Sequence, residues 1–170
     1  VGDALPARNP LLRLAGYLHD TGKFDAARIK EGKLTFAGHE KCWEAVEKDL
    51  MRLRFSNQDM GYILSLIRGH MRPLNADSTP RAVRRLLAML DDLALSYRDF
   101  MRMRIADKKG NLAKAPYTLS DIRIRLEKIL AARAGQTAFN INDLEISGLE
   151  IKEILGLEHG PDIGRAKVRL

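Results

Sequence analysis

Apolar residues recur at three- and four-residue spacing through most of this chain, and each such stretch is bracketed by helix-capping signals. That pattern commits the first 135 residues to a series of amphipathic helices packed on one another. Pro10 can occupy the first turn of a helix whose apolar side is Leu11, Leu12, Ala15 and Leu18, with Gly22 at its end. A second helix is expected from Gly38, with Trp43, Val46, Leu50 and Leu53 as its stripe and His39 one turn earlier. The capping-box-like "SNQD", Ser56 to Asp59, opens a third with Met60, Ile63, Leu64, Ile67 and Met71 inward.

Thr79 as N-cap and Pro80 at the first helical position start a long fourth helix, expected to run to about Asp107. Its buried face would be Val83, Leu87, Leu90, Ala94, Tyr97 and Met101. After the loop "KKGNLAKAPYT", Thr118 and Asp121 cap a fifth helix that Gly135 would end. The tail changes character, with short helical pieces broken by Gly148, Gly156 and Gly160. Period-2 alternation long enough for a sheet is absent except at "AFNI", Ala138 to Ile141, so the expected fold is all-α: a bundle over residues 1–110 with a small helical C-terminal appendage over 111–170.

With 170 residues the chain fits one medium domain, and no run approaches the roughly 18 apolar residues a membrane helix needs. A net charge of +7 favours a polyanion such as RNA or a nucleotide as partner. Its single cysteine, Cys42, excludes an internal disulfide framework and a cysteine-based zinc site, and suits a reducing, cytoplasmic location. "VGDALPARNP" has no apolar signal region and reads as though an upstream helix ended at "VGDAL".

The polar residues on the apolar stripes carry the chemistry. His19 lies four residues after Ala15, His39 on the second stripe, and His70 three after Ile67. Each alone reads as a satisfied core histidine. Three of the four histidines on inward stripes of three successive helices favour a shared site. Imidazole with carboxylate suits Zn, Mn, Fe, Co or Ni, with Mg also a candidate.

At "LAGYLHDTGK" the sequence resembles the His-Asp motif of the HD superfamily of metal-dependent phosphohydrolases. That resemblance implies a divalent ion held by His19 and Asp20, with Asp107 in "RIADKKGN" as the distant carboxylate, Asp99 as a weaker candidate for it, and His39 and His70 as the additional histidines found in a subset of these domains. The order "LHDTGK", "FAGHE", "MRLRFSN", "IRGHM", "RIADKKGN" and "DLEISGLEIKEILGLEHGPDIGR" is similar to the C-terminal half of bacterial tRNA nucleotidyltransferases, the CCA-adding enzymes and related poly(A) polymerases. In that family a first ligand histidine precedes the His-Asp pair. Here no histidine precedes His19, so the expectation is that truncation removed it and that the five remaining ligands bind metal more weakly. No Gly-Ser turn followed by paired aspartates is present, and nucleotide addition is not expected from this chain alone.

The resemblance implies hydrolysis of 2′,3′-cyclic phosphates, 2′-nucleotides or other small phosphoesters, at RNA ends such as the tRNA 3′ end. Asp20 would hold the ion and orient its water. Lys23, on the turn opened by Gly22, is a phosphate contact or a solvated lysine. Arg68 and Arg72 beside His70 are phosphate clamps or partners of a helix dipole. In "LEHGPDIGR", Gly160, Gly164 and Arg165 form a phosphate-binding helix start or a plain turn. Two further readings stay open: a non-catalytic RNA-binding module with a vestigial cluster, and an HD hydrolase acting on free nucleotides.

Overall fold

A computed structural model of the chain describes residues 1–112 and 115–134. After a 3-10 turn at Gly2–Ala4, the described elements are α1 (Pro10–Leu18), the single turn α2 (Lys23–Ala26), β1 (Arg28–Lys30), β2 (Lys33–Thr35), a 3-10 turn at His39–Lys41, α3 (Glu44–Arg52), α4 (Asn57–Gly69), α5 (Pro80–Asp92), α6 (Tyr97–Gly110) and α7 (Leu119–Ala134). The fold is the expected all-α bundle with one small hairpin. "AFNI", the glycine-broken tail and the Gly135 stop lie outside the described residues.

Side-chain caps start α1, α4, α5 and α7 where the sequence places them. Asn9 Oδ1 accepts from Leu12 N at 3.1 Å ahead of Pro10, and Thr79 Oγ1 accepts from Ala82 N at 3.2 Å ahead of Pro80. Ser56 and Asp59 open α4, while Thr118 and Asp121 form a reciprocal box on α7. Each cap contributes about 1 kcal/mol by satisfying amides that no helical carbonyl reaches.

Three expectations are corrected. The stretch from Thr79 to Asp107 is two helices, because Ala94 adopts a left-handed φ of 49° while Leu95 N bonds Leu90 O and Ala94 N bonds Asp91 O, both at 2.8 Å. This is the Schellman helix stop, and Ser96 then caps α6 by accepting from Asp99 N at 3.1 Å. The helical register is therefore lost at Leu93: Ala94 is exposed and Tyr97 only half-buried, whereas Val83, Leu87, Leu90 and Met101 are buried as expected.

The second correction concerns the helix expected from Gly38. Gly38 has φ 82°, a 3-10 turn follows, and regular helix begins only at Glu44. His39 therefore sits on a separate turn rather than one turn up the α3 stripe, and Leu53 is exposed beyond the helix end. Likewise α1 stops at Leu18, four residues before Gly22, where the chain tightens into Thr21 N to Leu18 O and Lys23 N to Asp20 O bonds.

Third, residues 28–35 form an antiparallel hairpin pairing Ile29 with Leu34, turned by Glu31 and Gly32 at positive φ. Its three-residue strands are too short to show alternation, and Ile29 and Leu34 are both exposed. Met71, expected inward, is also exposed because α4 has already ended.

α4 is the central element and packs against α1, α3 and α6, while α7 lies on α5. Leu12, Ile63, Ile67, Val83, Leu86, Phe100, Met103 and Ile129 belong to one continuous apolar core. Ile129 joins α7 to that core and is fully buried. Ile129→Ala is therefore expected to lower unfolding stability by about 2–5 kcal/mol. Urea denaturation measures this, and a loss under about 1 kcal/mol would mean that α7 does not share the core.

Candidate metal centre

The cluster forms where three helices end. His19 directly follows α1, His70 directly follows α4, and Asp107 lies in the last turn of α6. Asp20 occupies the turn after His19, and the 3-10 turn brings His39 from the far side of the hairpin. Helix C-termini carry partial negative charge from unbonded carbonyls, so this corner of the bundle favours a cation before any side chain is counted.

Each imidazole is oriented in the same way. His19 Nδ1 lies 2.9 Å from Gly16 O, His39 Nδ1 2.9 Å from Phe36 O, and His70 Nδ1 2.6 Å from Ile67 O. A carbonyl can only accept, so each Nδ1 carries the proton. In the neutral ring Nε2 is then a bare lone pair, and all three Nε2 atoms face Asp20. All three rings are buried, at 4% exposure or less.

The resulting contacts do not satisfy one another. His39 Nε2 and His70 Nε2 stand 3.1 Å apart, two acceptors facing each other. His19 Nε2 is buried with no hydrogen-bond partner among the described residues, although Asp20 Oδ2 is 3.3 Å and Asp107 Oδ1 3.5 Å away. Asp20 Oδ1 is 3.1 Å from His39 Nε2 and 4.0 Å from His70 Nε2. An unmatched buried acceptor costs about 1–3 kcal/mol, so a positive charge at the centre would offset several such costs at once.

A proton could in principle serve. Yet burial, reinforced by the neighbouring His19 and His39, pushes His70 down to about 4, against the opposing pulls of Ile67 O and Asp20. A divalent ion must be desolvated too, but it bonds several bare lone pairs at once, which a proton on one ring does not. Two donors bonded to one ion at about 2.1 Å lie at most about 4.2 Å apart, and the contacts above span 3.1 to 4.0 Å. The donor atoms of His19, Asp20 and His70 all fall within 4.8 Å of one another, so an inward shift of about half an ångström suffices to bring them onto one ion, with His39 and Asp107 flanking them. The donor set fits a divalent cation.

Asp107 is held below the usual carboxylate range, first by the hydrogen-bonding approach of His19 and then by the charges of His19, His70 and Arg104, with burial opposing.

Lys23 Nζ bonds Asp20 Oδ2 at 2.6 Å, in a pair about two-fifths exposed. Such pairs are worth about 1 kcal/mol or less, so this ammonium is easily exchanged. Among the described residues, neither the Arg68 nor the Arg72 side chain makes a hydrogen bond or ion pair with the cluster. They line a groove of about 370 Å³ beside it with Lys41 and Trp43, and the Arg68 guanidinium lies 5.5 Å over the Trp43 ring. Asp99 sits in the first turn of α6, about 12 Å along the helix from Asp107, paired with Arg102 at 2.7 Å. Gly160, Gly164 and Arg165 lie outside the described residues.

Two supporting residues escape a reading of the sequence. Arg104 Nη1 donates to His70 O at 3.1 Å, fixing the backbone that carries the ring; its only signal is its place one helical turn before Asp107. Gly22 looks like a helix stop, but a side chain there would meet the His39 carbonyl and come within 2.6 Å of Cys42 O. Its bare backbone lets the His39 turn close onto the His-Asp turn.

The chain is 32% identical to the A-adding tRNA nucleotidyltransferase of Deinococcus radiodurans over 94% of its own length and 36% of that protein. It is 30% identical to the CC-adding tRNA nucleotidyltransferase of Thermus thermophilus over 91% of its length and 33% of that protein. It thus spans about a third of the length of the curated relatives it matches. No family model and no solved structure matches it.

Metal addition should stabilise the chain by mass action, about 2.7 kcal/mol at a free ion concentration 100 times Kd. A thermal melt with Mn, Co, Ni or Zn should therefore shift upward, and less so in acid, where protons compete for the same lone pairs. His19→Ala should abolish the shift. An equal shift in that variant would place the ion elsewhere.

Proposed function

We propose that this chain is an HD-type, metal-dependent phosphohydrolase domain of a tRNA nucleotidyltransferase-like protein, acting on phosphoesters at RNA ends such as the tRNA 3′ end. The observation that carries this reading is the convergence of three unprotonated Nε2 atoms on Asp20 at the shared C-terminal ends of α1 and α4. Similarity to two tRNA nucleotidyltransferases over more than nine-tenths of the chain supports RNA as the source of substrate. Such a reaction belongs in the cytoplasm, and no described helix is long and apolar enough to cross a membrane.

His19, Asp20 and His70 would hold the ion, with His39 and Asp107 completing the ring of donors. A bound divalent ion supplies a water whose pKa is lowered toward about 7 and a positive charge for the phosphoryl oxygens. Asp20, with one oxygen facing His39 and the other facing His19 and Lys23, orients the attacking water. Lys23 exchanges its weak bond to Asp20 for a phosphoryl oxygen, and Arg68 and Arg72 hold the phosphate on the groove side.

A hydrolase acting on free nucleotides would use the same donors. An RNA-binding module without catalysis would instead show affinity that falls steeply with salt and no turnover. Hydrolysis of bis(p-nitrophenyl) phosphate and of a 2′,3′-cyclic nucleotide, with Mn, Co, Ni or Mg added in turn, tests the reading. Metal-dependent turnover is expected, with Asp20→Ala lowering kcat by about 100-fold or more. Turnover that survives Asp20→Ala, or none with any metal, would overturn it.

A further inference from the structure

We infer that the groove lined by Trp43, Lys41, Arg68 and Arg72 is a nucleoside-phosphate subsite, which gives the phosphoesterase its preference for a substrate carrying a base. The inference rests on the reading above and adds the part of the substrate that the cluster does not touch. Glu40 and Lys41 follow His39 in one turn, and Arg72 stands two residues after His70. With about 3.8 Å per chain step, the groove opens beside two of the imidazoles that face Asp20.

Its lining matches a nucleotide on two counts. Three cations face it against one carboxylate, Glu40, and among the described residues neither Lys41 nor Arg72 has an ion-pair partner, so a phosphate meets uncommitted positive charge. Trp43 offers an aromatic surface beside Met89, and at present Arg68 covers it. An exposed cation–π contact is worth about 0.5–1 kcal/mol, whereas a base stacked on an aromatic side chain contributes about 1–3 kcal/mol. A base therefore displaces the guanidinium from the indole, and the freed Arg68 can grip phosphate with two parallel bonds. One indole serves one base, which fits a terminal or free nucleotide rather than a long single strand.

Trp43 is the only tryptophan in the chain, so indole fluorescence comes from a residue that lines the groove. The full chain, stripped of metal, is titrated with adenosine 3′-monophosphate, with ribose 5-phosphate, and with a short oligoribonucleotide ending in a 3′-phosphate. The nucleotide should quench Trp43 and bind about 5- to 150-fold more tightly than the sugar phosphate. Arg72→Ala, at an exposed position away from the core, should weaken nucleotide binding several-fold. Tighter binding of the oligonucleotide assigns the subsite to RNA ends, and equal binding to free nucleotides; both uphold it. Equal affinity for ribose 5-phosphate, or no fluorescence response to any nucleotide, overturns it. With the wild-type chain assayed for hydrolysis after metal is added back, quenching without hydrolysis counts against the phosphoesterase alone, and hydrolysis without quenching counts against the subsite alone.

Discussion

Three buried imidazoles have their protons committed to backbone carbonyls and their remaining lone pairs aimed at one another and at Asp20, and much of this structure can be understood from that constraint. The carbonyls of Gly16 and Ile67 belong to the last turns of α1 and α4, where no amide of the helix reaches them. One hydrogen bond thus ends the helix and fixes the tautomer. The price is a knot of acceptors, with His39 and His70 facing at 3.1 Å and His19 Nε2 unmatched. Only positive charge at the centre makes that arrangement favourable, and helix C-termini already bias the corner toward it.

The packing around the cluster holds it in register. α4 lies against α1 and α6, so the elements carrying His19, His70 and Asp107 share the apolar core. Arg104 ties the His70 carbonyl to the helix that carries Asp107, and its second nitrogen reaches Tyr117 Oη at 3.5 Å, just ahead of α7. Below this, Arg125 is buried across the Tyr117 ring and donates to Leu74 O at 3.0 Å. The last described helix is thereby linked through polar contacts to the backbone of a candidate ligand. His39 has no helix of its own, and its place depends on the close approach that Gly22 permits.

The starts of α1, α4, α5 and α7 were legible because Pro10, Ser56, Thr79 and Thr118 mark them with local signals that the sequence spells out, whereas those of α3 and α6 were not. The histidines stood out as a group because they sit on apolar stripes, where a polar residue needs a reason. What could not be read depends on backbone geometry that leaves little compositional trace. Arg54 and Ala94 each take the left-handed conformation usually given to glycine, so the Schellman stops of α3 and α5 are silent in sequence. In hindsight the two stops share a pattern, "LRFS" at 53–56 and "LALS" at 93–96, in which an apolar residue precedes the next serine cap. The hairpin escaped because three-residue strands show no period, although Glu31-Gly32 is a turn signal. The placement of His39 followed from neither helical spacing nor turn chemistry, since it needs the long-range contact at Gly22.

The central claim is that the three Nε2 atoms are unprotonated and suited to one shared cation. Long-range proton–nitrogen NMR of the histidine rings reads this directly, first on the metal-stripped chain near neutral pH and then with one equivalent of Zn²⁺. The account predicts Nδ1–H tautomers for His19, His39 and His70 before addition, and Nε2 shifts for His19 and His70 moving together afterwards. Protonation at Nε2 in the stripped chain, or Nε2 shifts indifferent to the ion, would contradict it.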